Sequence, residues 1–215
     1  MLTWHDYTVE NAAQVFEQCK DSQALYWGFK EHPLPLKQMQ ELFAHMKDCG
    51  KTTMLEVVAY TEDEGMDAAR HAAQCHCDIV MGTKYSDALR DYCHSQGLLY
   101  MPFVGTVNGR PSVLEGTIDD IVAEARHLEA CGVDGIDLLA YRYGGNVPQL
   151  MQEVTRAVSI PVCMAGSIDT FQRIDQVKAA GAWAFTIGSA FFEHRFGDAL
   201  PQQINAVCSY VSQKK

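Results

Sequence analysis

The stretch Ile160–Phe192, IPVCMAGSIDTFQRIDQVKAAGAWAFTIGSAFF, constrains the chain more than any other. Ile160–Ala165 is a short apolar run opened by Ile-Pro, and Gly166-Ser167 stops it. Asp169 or Thr170 can cap a following helix, with Phe171, Ile174 and Val177 as its buried stripe and Gly181 as its end. Trp183–Ile187 reads as a second strand, stopped by Gly188-Ser189. Each glycine lets backbone approach a ligand closely, and each turn opens a segment whose free N–H groups can hold an anion. Such turns also occur in ordinary α/β proteins. Two in succession, at the ends of adjacent strands, fit the phosphate site after strands seven and eight of a (β/α)8 barrel.

The rest of the chain has the matching rhythm. Met1–Trp4 is a short first strand, and Glu10–Cys19 a helix. Ala24–Phe29 is the second strand, ending in Lys30-Glu31-His32, and Met39, Leu42, Phe43 and Met46 mark the next helix. Thr53–Tyr60 is the third strand, and Thr61 with Glu64 forms a capping box. Asp78–Met81, Leu98–Val104 and Val133–Tyr141 read as strands four to six. Helices are expected at Ser86–His94, from Thr117 with Ile121, Ala125 and Leu128 buried, at Val147–Val158, and at Leu200–Val211. Gly105–Gly116, GTVNGRPSVLEG, is the longest irregular stretch and reads as a lid, a binding loop or a solvated insertion. Regular βα alternation implies a parallel sheet covered by helices. An open doubly wound sheet is the rival, but no GxGxxG follows the first strand. The expected architecture is therefore a single TIM-barrel domain over residues 1–215.

The net charge of -10 argues against nucleic acid and anionic membrane as partners. A small phosphorylated metabolite needs only a local positive site. No apolar run is long enough to span a membrane, and no signal peptide is visible in MLTWHDYTVENAA. The eight scattered cysteines read as reduced thiols of a cytoplasmic protein. Cys75-His76-Cys77 is too tightly spaced for a usual zinc knuckle and no second pair follows, so no metal site and no cofactor are expected. Self-association through an exposed apolar helix face would give a homo-oligomer.

With this strand order and MAGSIDTFQRIDQVKAAGAWAFTIGSAFF as its end, the chain resembles the ribulose-phosphate-binding barrels. That superfamily includes phosphosugar isomerases and epimerases, isomerases of histidine and tryptophan synthesis, decarboxylases and some aldolases. The resemblance implies that Gly166, Ser167, Gly188 and Ser189 hold a phosphate. The layout is also similar to the glycerol-3-phosphate-responsive antiterminator, which implies a non-enzymatic sensor as an alternative. Two family patterns are missing. His76-Cys77-Asp78 falls at the incoming end of a strand, unlike the epimerase metal pair, and no Asp-x-Lys-x-x-Asp of the orotidine-type decarboxylases occurs.

Strands covered by helices on a parallel sheet are apolar on both faces, so charges within them need explaining. Lys30, Glu56 and Asp137 stand out and would point inward or up to the rim where barrel active sites lie. A buried ion-pair cluster is the competing explanation. Asp6, Lys84 and Arg142 follow strands at the rim; Lys84 and Arg142 are candidates for binding the phosphorylated substrate, and Arg142 could fork onto a phosphate or carboxylate. His5 and His32 also fall near strand ends, and Tyr141 and Tyr143 could wall a sugar pocket. Two carboxylates and a lysine suit proton transfer beside a carbonyl. The expected function is a metal-independent isomerase or epimerase of a small phosphorylated sugar, with Lys30 stabilising the oxyanion. The runner-up is a class I aldolase with a Schiff base on Lys30 or Lys84.

Overall fold

Each βα unit closes where its sequence punctuates it. The computed structural model describes residues 1–213. In chain order its strands and helices are β1 (Thr3–Trp4), β2 (Tyr7–Thr8), α1 (Ala12–Cys19), β3 (Tyr26–Lys30), α2 (Leu36–Asp48), β4 (Thr52–Ala59), α3 (Glu62–Gln74), β5 (Ile79–Thr83) and α4 (Asp87–Ser95). There follow β6 (Leu99–Met101), β7 (Thr106–Asn108), β8 (Val113–Glu115), α5 (Ile118–Ala130), β9 (Ile136–Leu138), α6 (Val147–Ala157), β10 (Val162–Met164), α7 (Phe171–Ala179), β11 (Ala184–Phe185), α8 (Ser189–Phe192) and α9 (Leu200–Gln213). Hydroxyl or amide side chains of Thr61, Ser86, Thr117, Asn146 and Thr170 accept the first free N–H groups of five helices. At α3 the Glu64 carboxylate reaches back to the Tyr60 N–H, one residue before the cap.

Eight strands are staves of a (β/α)8 barrel: β1, β3, β4, β5, β6, β9, β10 and β11. Parallel ladders join β3-β4-β5-β6 and β9-β10-β11. The seams between these blocks carry sparser bonds. Asp137 N–H donates to Pro102 O at 2.9 Å, and Phe103 bridges Asp137. Leu2 N–H donates to Gly28 O at 2.8 Å, and the Met1 nitrogen to Ile187 O at 2.9 Å. Single backbone bonds thus cross the seams, and regular ladders do not run all the way round. A continuous core links strands to helices, and a second cluster of Met54, Ile79, Met81, Met101 and Cys163 packs apart from it.

Three expectations are corrected. The fifth strand stops at Met101, not Val104, because Pro102 has no N–H to continue the ladder. The sixth ends at Leu138, after which Ala140–Arg142 tightens into a 3-10 turn. Gly105–Gly116 is not irregular: β7 and β8 pair as a hairpin, anchored inward by Val107 and Leu114. The Gly188 turn opens directly into the short helix α8.

Candidate active site

At the outgoing ends of the staves lies a cavity of about 490 Å³. Lys30, Glu56, Asp6 and Arg142 line it together with both glycine turns, Gly166-Ser167 and Gly188-Ser189. The four charged groups alternate in sign. Glu56 lies 3.1 Å from Lys30, Lys30 lies 3.4 Å from Asp6, and Asp6 lies 3.3 Å from Arg142. The Lys30 and Glu56 side chains are only 7% and 8% exposed, so this is a buried ion pair. Burial opposes the charge on Lys30, but Glu56 and Asp6 outweigh it and hold its pKa above the ordinary lysine value. Burial likewise opposes ionisation of Asp6, and Lys30 with Arg142 overrides it, so its pKa is lowered.

Local structure places each group. Lys30 ends β3, where Thr8 Oγ1 accepts its N–H and donates to its carbonyl, both at 2.8 Å. Glu56 has room because residue 82 is glycine: a Cβ there would lie 3.2 Å from Glu56 Cγ. Asp6 sits in the left-handed turn after β1, with φ 65°, following His5 at φ 49°. The His5 N–H donates to Ser189 Oγ at 3.1 Å, tying that turn to the second glycine turn. Arg142 leaves the 3-10 turn and donates to Ser112 O at 3.2 Å, under the β7–β8 hairpin. Its Nε is buried and has no partner among the described residues. A Cβ on Gly166 would come within 3.2 Å of that Nε, so only a bare backbone turn fits beside it.

Lys84 is exposed and does not line the cavity, which corrects its placement at the phosphate site. Asp137 faces inward as expected but has 0% exposure and does not reach the cavity wall. It pairs with Cys163, whose cluster includes Met54, two residues before Glu56 and so one layer beneath it. Tyr141 bonds Arg173 O and Gln176, and Tyr143 bonds Gly116 O, so neither walls the cavity. Cys77 is buried, its thiol pushed up to about 12 chiefly by desolvation, and Asp78 bonds Lys47 and Thr53. Among the described residues no three His, Cys, Asp or Glu side chains cluster as a metal site.

Sequence reasoning missed Arg173. Its guanidinium bonds Ser167 O and Asp169, setting a positive charge under the first glycine turn. Its place three residues after the Thr170 cap was a usable signal. No helix among the described residues is long and apolar enough to cross a membrane.

No family model matches the chain. A curated protein of Enterobacter sp. (strain 638), provisionally named N-acetylmannosamine-6-phosphate 2-epimerase, is 34% identical over 112 residues. The match takes in 47% of this chain and 45% of that protein, less than half the relative's length. Among solved structures, one described as native KDPGal superposes with TM-score 0.70 at 13% identity, covering 95% of this chain and 90% of that one. The N-acetylmannosamine-6-phosphate 2-epimerase from Clostridium perfringens gives 0.63 at 16%, covering 93% and 84%. The glycerol uptake operon antiterminator regulatory protein of Listeria monocytogenes str. 4b F2365 gives 0.59 at 19%, covering 82% and 87%. These likenesses establish the barrel fold.

Proposed function

We propose that the chain is an isomerase or epimerase of a small phosphorylated sugar, and that its reaction is 2-epimerisation of an N-acylated hexosamine 6-phosphate. One observation carries this reading. The Glu56–Lys30 pair, 3.1 Å apart, opens on the same cavity as both glycine turns and the unpartnered Nε of Arg142. A phosphate beside Gly166-Ser167 and Gly188-Ser189 would supply the acceptor that Nε lacks, while the other Arg142 nitrogens stay on Asp6. The sugar would then extend toward Glu56. The Glu56 carboxylate takes the C2 proton of the open-chain form, and the electron pair moves to the C1 carbonyl oxygen. Lys30, held protonated, stabilises that oxyanion. Solvent water returns a proton to C2 from the opposite face to give the epimer, and the proton on Glu56 passes to the hydroxide left behind, which restores the carboxylate. The name of the partial relative supports this substrate class.

The Schiff-base alternative needs a neutral amine, and Glu56 and Asp6 keep the Lys30 ammonium charged. The test is incubation with N-acetylmannosamine 6-phosphate in deuterated water, followed by NMR. The expected result is deuterium at C2 and appearance of the C2 epimer, unaffected by a chelator. Glu56→Gln should slow exchange by about 10²-fold or more. Absence of exchange with every phosphosugar, together with borohydride trapping of ligand on a lysine, would install the aldolase instead.

A further inference from the structure

The tip of the β7–β8 hairpin reaches across the cavity mouth and grips its far side. The hairpin leaves the fifth stave at Gly105 and ends at Gly116, both with left-handed φ, 80° and 113°. Two strands of three residues are marginal by themselves, so docking keeps the hairpin in place. Its base docks by apolar burial, through Val107 and Leu114. Its tip, residues 108–111, is exposed and docks through polar contacts. Arg110 lies 3.5 Å from Glu31, which follows the second stave, and donates to Val58 O of the third stave at 3.3 Å. Its guanidinium also sits 5.6 Å from the centre of the Tyr7 ring. Glu31 in turn accepts the Val58 N–H at 3.4 Å, within the stretch where the β4–β5 register shifts. The Glu31 side chain is only 10% exposed, so Arg110 closes on a largely buried carboxylate. Tyr60 adds a neutral bond to Gly109 O at 2.8 Å.

Two residues beyond Arg110, Ser112 is buried in the cavity wall. Its carbonyl accepts from Arg142 Nη1 at 3.2 Å, and its hydroxyl lies 3.1 Å from that of Tyr60. Resting on the reading of Arg142 as the phosphate's partner, we propose that Arg110 is a positioning residue. It latches the hairpin tip across the mouth and thereby fixes the Ser112 carbonyl that aims Arg142. Arg110 itself lies outside the cavity wall and acts through Ser112. The latch consists of partly exposed polar contacts, weaker than the apolar base, so the tip opens while the base stays. Opening admits ligand. Closing returns the Ser112 carbonyl to Arg142. With its terminal nitrogens on Ser112 and Asp6, Arg142 keeps Nε as the free donor beside Gly166.

Hydrogen exchange on the full chain without ligand tests the latch, read by mass spectrometry over residues 105–116. Arg110→Ala should speed exchange there about fivefold or more, as loss of a charge-assisted hydrogen bond does, and leave the staves as in the wild type. Glu31→Gln keeps an acceptor without the charge and should give part of the effect. The double variant should go no further than Arg110→Ala alone. Wild-type exchange in Arg110→Ala, or faster exchange spread over the whole barrel, overturns the latch. The route to Arg142 is read from its Nε–H signal in nitrogen-15 NMR, assigned by its loss in Arg142→Lys. That proton should exchange with water about fivefold faster in Arg110→Ala and return toward the wild-type rate in Arg110→Lys, which keeps the charge facing Glu31. A signal that Arg110→Ala leaves in place overturns the positioning role. Neither measurement uses a phosphosugar, so failure of turnover and failure of the latch are separate outcomes.

Discussion

Arg142 offers donors in three directions, and a lysine cannot do this. Its terminal nitrogens hold Asp6 and Ser112 O while the buried Nε stays unpartnered. Arg142→Lys keeps the charge and loses that third direction. A hydrogen bond to a charged group contributes about 1.5–3 kcal/mol. Phosphosugar affinity measured by calorimetry should therefore fall roughly tenfold or more. Unchanged affinity would remove Arg142 from the phosphate site. Asp137 carries a pH prediction. The folded chain holds a proton there that the unfolded chain releases above the ordinary carboxyl range. Folding thus takes up a proton, and this group's contribution to stability falls as pH rises from about 4, until Asp137 itself ionises. Asp6 has the opposite sign: its folded pKa is lowered, so its contribution is present above the unfolded value and lost as pH falls. In urea titrations across pH, Asp137→Asn should gain on the wild type as pH rises toward neutrality. Parallel curves would mean that Asp137 is ionised in the folded protein.

At the scale of elements, the seam between β11 and β1 decides whether the two halves of the cavity meet. Gly188 is glycine for a reason of contact: a Cβ would fall 2.2 Å from Thr3 Oγ1 and 2.9 Å from Thr3 O. Thr3 is buried and cannot swing away freely. Gly188→Ala should destabilise the protein by about 1–3 kcal/mol, as overpacking does. Urea unfolding checks this, and a wild-type midpoint would show that the seam is loose. The roof of the cavity is the β7–β8 hairpin, clasped by Tyr60, whose hydroxyl donates to Gly109 O at 2.8 Å. Its strands are three residues each with one buried residue apiece, too short for alternation to register. The Asn108-Gly109 pair was the available turn signal. Pro102 likewise announced the early end of the fifth strand. The capped helices were legible because caps and apolar stripes are local.

At the scale of the molecule, the proposed phosphorylated ligand would have to bind a chain of net charge -10. Attraction has to come from cations at the site, Arg142 and Lys30 on the cavity wall with Arg173 beneath the first turn. Phosphorylated sugars should therefore raise the melting temperature without added metal, and the neutral sugars should not. At a ligand concentration 100-fold above Kd the stabilisation is about 2.7 kcal/mol. Stabilisation by neutral sugars alone would displace phosphate from the two turns. RNA should show no retention at physiological salt. Tight RNA binding with a steep salt slope would put a regulator ahead of an enzyme.

Sequence by itself determined the βα order, the two glycine turns and the presence of Lys30, Glu56 and Asp137 inside apolar staves. These follow from periodicity, glycine stops and the cost of burying charge, all of which act over a few residues. Tertiary structure decided how those groups divide. Glu56 and Asp137 both face inward, yet one lines the cavity and the other lies a layer below, because stave register sets height and parity does not. Lys84 follows β5 by a single residue and turns out to solvent. Asp6 and Arg142 are 136 residues apart in sequence and meet only because the barrel brings its first and sixth staves to one rim. No pattern along the chain encodes that contact; the tertiary arrangement of the staves creates it.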